Sequence, residues 1–555
     1  MSDSYRPHYH ATVPKGWSND PNGTIYYNGK AHLFYQHYPY KPEWGTMHWG
    51  HFVTEDFVHW DNLPVALVPD QDYEEICGCC SGSAIEMGGR LYLMYTAAQP
   101  ERQRQCLAFS DDGGVHFQKE SNNPILTAEM LDEEVSTMDF RDPRLFKKGD
   151  YYYFLAGVRI VDPAKSAERK PSKMPSGAPL RSPSAGPLPP YETPLRSPST
   201  GPLPPSETPL RWPSAGPLFP SIGPMRSPSQ GSLYPADPEK DGYGNLILCR
   251  SRDLYHWEYL GYLLHPQPEF RKEFYELNGV YECPDYFEIN GYEVVLSSPQ
   301  NLPQMGNLFQ NIHSGLYMLG KMNFENGQFH VDKIGEVDSG FDFYAAQTLR
   351  MPDGRVVMIG WKEMWDRNYP TRKEGWAGSY SLPCELDVAD GELLRNPVRE
   401  IEQFRGECIS HEELILENDS AKIPGIEGNV LEMKLVLEPG NASKSGIALF
   451  AGAEHETLLY YDRAEQALIL DRSRSGIPFT GRDQDVNIRK LDLEDPERIE
   501  LRIFLDVCSV EVFINGGRHM MTANVYPDPA DLGIRFYAEG GAAAFKAIEK
   551  YELKV

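Results

Sequence analysis

The chain has 555 residues; 53 Lys plus Arg against 80 Asp plus Glu leave a net charge of −27, and 41% of residues are apolar. Such a chain can bury a sizeable core and is not wholly disordered. Its acidity argues against a nucleic-acid binder or a binder of anionic membranes, since both need a basic face. Residues 1–17 contain no apolar segment of the kind a secretory signal needs, and no run of 18 apolar residues predicts a transmembrane helix. Nine scattered cysteines suit a reduced, cytoplasmic protein. Cys77, Cys79 and Cys80 lie close together but lack the spacing of a zinc site. The sequons at Asn22, Asn418 and Asn441 carry no weight in a chain that is not secreted.

Residues 1–160 are dense in aromatics and short alternating runs: GTIYYNGKAHLFYQHY (23–38), GRLYLMYTA (89–97) and GDYYYFLAGVRI (149–160). Each run is bounded by Gly, Asn or Asp, which predicts strands and hairpins. The same texture resumes at NLILCRSRDLYHWEYLG (245–261) and continues to residue 395. Three stretches look alike: TEDFVHWDNL (54–63), SDDGGVHFQKE (110–120) and SRDLYHWEYL (251–260). Each sets an acidic turn before an aromatic strand. Recurrence of such a unit predicts a propeller rather than a sandwich, because blades repeat radially.

Residues 171–238 differ from everything around them. They hold 20 prolines and repeat with a period of 15, as in PLRSPSAGPLPPYET (179–193) and PLRSPSTGPLPPSET (194–208). Prolines this dense remove backbone donors, so a disordered segment with polyproline II character is expected. It separates two runs that otherwise read as one hairpin, and long surface excursions cost little closure entropy. The alternative is a docking segment built on Arg181 and the PLPP of 187–190. Beyond residue 405 tryptophan disappears, and runs such as NVLEMKLVLEP (429–439) and CSVEVFING (508–516) alternate apolar and polar. That pattern predicts a separate β-sandwich over 406–555, joined through a linker at 396–405.

Three acids stand in unusual settings. Asp20 lies in the turn sequence WSNDPNG (17–23), Asp142 follows Arg141 in FRDPRLF (140–146), and Glu282 ends an apolar run in VYECPDYF (280–287). Burying an unpaired acid is costly, and protonation relieves the cost, which is the state a general acid needs. Acids at three strand ends suit a glycosidase, in which one carboxylate attacks and another holds a proton. In a retaining enzyme the two stand about 5 Å apart. Trp17, Trp44, Trp49, Trp361, Trp365 and Trp376 offer flat faces for sugar rings.

WSNDPNG (17–23), FYQ (34–36), WGTMHWGH (44–51), RDP (141–143), ECP (282–284), FYAAQT (343–348) and GWAG (375–378) follow one another in order. In these motifs the chain resembles glycoside hydrolase family 32, the β-fructofuranosidases, which include invertases, sucrose-6-phosphate hydrolases and fructan hydrolases. The resemblance covers nearly the whole chain apart from the proline-rich insertion. It implies an all-β fold: a five-bladed β-propeller catalytic domain over 1–395, then a C-terminal β-sandwich, with the active site on the propeller axis. It implies Asp20 as nucleophile, Glu282 as acid/base and Asp142 as transition-state stabiliser. It also implies Asn19, Gln36, Trp44, Ser81, Arg141 and Trp376 around the fructose, with no metal and no cofactor.

Two positions depart from the family pattern. Ser18 stands where Met or Ile is common, and Cys80 precedes Ser81-Gly-Ser where Phe is usual. The second change trades a large ring at the pocket wall for a small thiol and leaves the leaving-group preference open. The implied activity is retaining hydrolysis of terminal β-D-fructofuranosyl groups from sucrose-type substrates. Sucrose 6-phosphate, short inulin- or levan-type fructans and fructosyl transfer are the alternatives. A non-catalytic fructan-binding protein is the remote one, since all three acids are present. A phosphate needs cations at the rim, for which Arg102, Arg104, Arg367 and Arg372 are the candidates. The expected partner is a small sugar, with no nucleic acid and no membrane, and a homodimer through the sandwich stays open.

Overall fold

The computed structural model describes residues 4–161, 242–268, 270–275, 277–481 and 485–555. The repeats at 171–238 fall outside these residues. Among the described residues the chain is nearly all strand, and no helix is long and apolar enough to cross a membrane.

Five antiparallel sheets in chain order form the blades of a propeller. Their innermost strands are Gly16–Tyr27, Gly78–Met87, Val135–Lys148, Tyr281–Ile289 and Tyr344–Arg350. In each blade the next three strands in the sheet follow outward, so every blade is a meander. The first blade gains a fifth strand: Trp376–Ala377 pairs in parallel with Gly16–Trp17 and ties the last blade's connection to the first blade. In the third blade Tyr151–Ile160 pairs without a break to Tyr243–Ser251, up to the partners Ile160 and Tyr243. The two described strands that flank the insertion in sequence therefore pair as one regular hairpin up to its last partners.

The look-alike stretches occupy the turn between the third and fourth strands of blades one to three. Asp56 accepts the backbone N–H groups of Val58 and His59 at 2.9 and 2.8 Å and pairs with the His59 ring at 2.8 Å. Asp253 does the same with Tyr255 and His256, and Asp112 with Val115 and His116. An Asp that satisfies turn amides by its side chain is a local rule. That is why the recurrence is visible in sequence.

Arg399–Phe404 forms a single 3-10 stretch, after which Arg405–Ala421 opens the C-terminal sheet domain. Its core is a large hydrophobic cluster including Leu435, Leu449, Ile503 and Phe536. The two domains meet through buried charges. Asp342 of the propeller accepts from Arg367 at 3.1 Å, Tyr369 at 2.8 Å, and both Arg472 and the Asn524 amide of the sheet domain at 2.6 and 2.8 Å. Near the start of the chain, His10 bridges Asp506 at 2.7 Å and Glu511 at 2.5 Å. A buried charge is tolerated only when paired and hydrogen-bonded. These networks therefore fix one orientation of the domains.

Candidate active site

Each of the five inner strands breaks register near its start, where the strands converge on the axis. The breaks lie between Ser18 and Pro21, Cys80 and Gly82, Arg141 and Arg144, Glu282 and Asp285, and Tyr344 and Gln347. Three of them contain or adjoin a proline, Pro21, Pro143 or Pro284, which cannot donate to a ladder and belongs at a bulge. Asp142, Cys283 and Ala345 take positive φ of 63°, 45° and 54°. For residues with a Cβ this costs roughly 1–2 kcal/mol each. The strain re-aims side chains from the blade interior toward the axis. Gly157, the register partner of Arg141, permits a close approach of blades three and four: a Cβ there would meet the Tyr281 carbonyl at 2.4 Å.

The outcome is a small pocket lined by Asn19, Asp20, Gln36, Trp44, Cys80, Arg141, Asp142 and Glu282. Asp20 Oδ2 accepts from Ser81 Oγ at 2.6 Å and from Gln36 Nε2 at 3.3 Å, and the Cys283 thiol lies 3.5 Å away. Its other oxygen, Oδ1, has no hydrogen-bond partner among the described residues. Asp142 Oδ2 accepts the Cys283 backbone N–H at 3.0 Å, and the Asp142 amide donates to Thr96 Oγ1 at 3.0 Å. Glu282 Oε1 accepts from Arg141 Nε and Nη2 at 3.1 and 3.0 Å and from Gln300 Nε2 at 3.1 Å. Its Oε2 lies 2.6 Å from the Tyr344 hydroxyl.

Burial dominates the electrostatics of all three acids. It pushes the Glu282 carboxyl up to about 8, with Asp142 and Asp20 adding and Arg141 and Tyr344 opposing. Asp142 is pushed up to about 6 by burial and by Asp20, against Arg141. Asp20 is raised by burial, against the hydrogen bonds of Ser81, Asn19 and Cys283. Near neutral pH the pocket holds an un-ionised Glu282 beside a more acidic Asp142. A carboxyl that keeps its proton in that place suits a proton donor.

Sequence order brings seven of the nine expected residues into the pocket lining. Ser81 stands just behind it, holding Asp20. Trp376 is a correction: it is 2% exposed and packs with Tyr35, Phe52 and Tyr380, while its neighbour Ala377 faces the cluster containing Trp17, Cys283 and Tyr344. Alternate residues of a strand point to opposite faces, and Trp376 takes the core side. The expectation of six sugar-facing tryptophans is corrected likewise, because only Trp44 lines the pocket. Trp49 and Trp361 are fully buried, and Trp17, Trp361 and Trp365 pack on one another at ring distances of 4.9–5.9 Å. Of the rim candidates, Arg367 is 2% exposed and pinned to Asp342. Arg372 lies over the Trp17 ring at 5.2 Å. Sequence reasoning gave no role to Tyr344, Gln300 or Asp139. Only Tyr344 had a signal, in the FYAAQT motif (343–348).

The sequence profile described as "Glycosyl hydrolases family 32 N-terminal domain" matches residues 10–165 and 233–397, and "Glycosyl hydrolases family 32 C terminal" matches 400–552. The chain is 32% identical to a sucrose-6-phosphate hydrolase of Zymomonas mobilis, covering all of this chain and 93% of that one. It is 29% identical to a raffinose invertase of Escherichia coli, over 98% of this chain and 94% of that one. Two solved structures align over the whole chain. They are a Lactobacillus gasseri sucrose-6-phosphate hydrolase (28% identity, TM-score 0.73, 94% of that chain) and a Bombyx mori family 32 β-fructofuranosidase (27%, 0.71, 95%). A variant of the latter is solved in complex with sucrose.

A five-bladed propeller with paired carboxyls on its axis and a C-terminal sheet domain defines a glycoside hydrolase. The chain belongs to glycoside hydrolase family 32, and it is a β-fructofuranosidase-type hydrolase.

Proposed function

We propose that the pocket hydrolyses terminal β-fructofuranosyl groups with retention, through Asp20, Glu282 and Asp142. The observation that carries this reading is the contrast inside one pocket. Glu282 keeps its proton up to about 8, while Asp20 keeps an oxygen free of hydrogen bonds. Asp20 Oδ1 attacks the anomeric carbon of fructose as the proton on Glu282 passes to the glycosidic oxygen. The bond to the leaving sugar breaks, and a fructosyl ester forms on Asp20. Glu282, now ionised, takes a proton from water, and the hydroxide equivalent cleaves the ester to release fructose. Asp142 accepts fructose hydroxyls and favours the oxocarbenium-like transition state, and Arg141 holds Glu282 in place.

Sucrose is the substrate this reading favours, in keeping with the sucrose complex of the Bombyx mori structure. The sucrose-6-phosphate hydrolases among the relatives support a second reading, for which Arg372, over the ring of Trp17 in the cluster that also holds Cys283 and Tyr344, is a candidate rim cation. Short fructans remain the third. The test is fructose release from sucrose, sucrose 6-phosphate and short inulin and levan chains, with Asp20→Asn and Glu282→Gln as blanks. Each blank should lose on the order of 10³-fold in kcat. Full turnover in either one sinks the assignment. A strong preference for the phosphate overturns the sucrose reading alone.

A further inference from the structure

Arg141 does not face Glu282 on its own. Its Nη1 donates to Asp139 Oδ1 at 2.7 Å, on the side away from the carboxyl. Asp139 in turn accepts through Oδ2 from Arg159 Nε at 2.9 Å, and Arg159 Nη1 reaches Asn278 Oδ1 at 3.3 Å. Arg159 and Arg141 are both buried, and Asp139 is partly so. The result is a chain of alternating carboxyl and guanidinium groups, Glu282–Arg141–Asp139–Arg159, crossing from blade four to the blade-three hairpin. Asp139 lies in the stretch between Val135 and Phe140 where the inner strand is out of register with its neighbour, so its side chain is free to turn toward both arginines. Neither Asp139 nor Arg159 lines the pocket.

We infer that Asp139 and Arg159 are positioning residues for the acid/base: Asp139 draws the Arg141 guanidinium partly away from Glu282, and Arg159 limits how strongly it does so. This rests on the reading of Glu282 as acid/base. A guanidinium shared between two carboxyls gives less of its field to each. Burial alone would raise the Asp139 carboxyl, but Arg159 and Arg141 hold it below its ordinary value, so it stays ionised as a fixed negative charge. The other groups facing Glu282 are Asp20 from blade one, Asp142 and Cys283 beside it, and Tyr344 from blade five, with His313 5.7 Å from the Tyr344 ring. Cys80 faces Arg141 from blade two. None of these is changed by substituting Asp139 or Arg159.

The two substitutions carry opposite signs. In Asp139→Asn the negative charge behind Arg141 is lost, Arg141 pairs more fully with Glu282, and Glu282 releases its proton more readily. The alkaline limb of kcat/KM then moves to lower pH by about half a unit or more. In Arg159→Gln the charge of Asp139 is less compensated, and the limb moves to higher pH. Asp139→Glu brings the limb back toward its original position.

The experiment is the pH profile of kcat/KM on sucrose, or on sucrose 6-phosphate if that is the substrate hydrolysed. It uses the full chain and the three variants, with melting curves to confirm folding and Glu282→Gln alongside. Limbs that stay where they were, or that move in the same direction in Asp139→Asn and Arg159→Gln, overturn the inference. If Asp139→Asn does not fold, Arg159→Gln decides alone, and an unmoved or lowered limb there overturns it. Retained activity in Glu282→Gln defeats the reading of the site itself, which is a distinguishable failure.

Discussion

The Tyr344 hydroxyl lies 2.6 Å from Glu282 Oε2 and 2.8 Å from the Ser298 carbonyl oxygen. A phenol has one hydrogen and can donate to only one of these at a time. With Glu282 ionised, the phenol donates to the carboxylate. With Glu282 protonated, the carboxyl donates to the phenolic oxygen and the phenol turns to Ser298. The hydroxyl thus follows the proton through both halves of the reaction without leaving a buried donor unmet.

Tyr344→Phe removes the bond that favours the ionised form. Glu282 should hold its proton more tightly, so the alkaline limb of kcat/KM moves to higher pH. The deacylation half, which needs the carboxylate as base, should slow, lowering kcat by about 10-fold. A steady-state pH series checks both, and a limb that moves to lower pH contradicts the role.

Stability should fall as pH rises above neutrality. Burial raises Glu282, Glu336 and Glu363 to about 8 and Asp338 to about 7. A carboxyl raised in the folded state contributes stability that is complete below its unfolded value, and that is lost as pH rises through the folded value. The buried His32, His37 and His48, each lowered to about 4, act in the opposite sense, but only below the ordinary histidine value. Between about pH 6.5 and 8.5 the acids decide, and the Tm should drop. Glu282→Gln keeps a neutral group in place and should shrink that drop, as scanning calorimetry at the two ends would show. An equal drop in wild type and variant contradicts the assignment.

Asp342→Asn leaves the buried Arg367 and Arg472 without their shared counter-ion. Breaking a buried pair from one side costs about 3–5 kcal/mol. Urea unfolding followed by tryptophan fluorescence reports chiefly on the propeller, because eight of the nine tryptophans lie in its described residues and none in the C-terminal sheet domain. A loss under about 1 kcal/mol refutes the idea that this network holds the two domains together.

Removing residues 171–238 should leave activity within about threefold, because the hairpin that carries them is paired to its end at Ile160 and Tyr243. Sucrose hydrolysis by the shortened chain is the measurement. Collapse of activity would favour the docking reading.

What the sequence made legible follows from local chemistry. Asp-Pro, Asp-Pro and Glu-Cys-Pro mark bulges by the missing proline donor, and bulges are where the inner strands turn acids onto the axis. The Asp56, Asp112 and Asp253 turns were visible because one side chain satisfies its own neighbours. The tryptophans were misread because the face a ring takes depends on strand parity next to those same irregularities. Trp376 and Ala377 differ by one residue and face opposite ways. Gln300 and Asp139 were missed because their importance lies in partners on other strands, Glu282, Arg141 and Arg159, and nothing in their own neighbourhood announces it. Arg367 looked like a surface cation until Asp342 was placed beside it.

The pairing of Gly16–Trp17 with Trp376–Ala377 has a consequence for how the molecule is born. The strand that carries Asp20 leaves the ribosome some 360 residues before its flanking partner, and His10 waits longer still for Asp506 and Glu511. Contacts so distant in sequence form slowly. The ring of blades therefore closes late, and a nascent chain carries an attacking group with no finished site around it. A chain that stops before Trp376–Ala377 lacks the strand that flanks Asp20 and is silent rather than partly active.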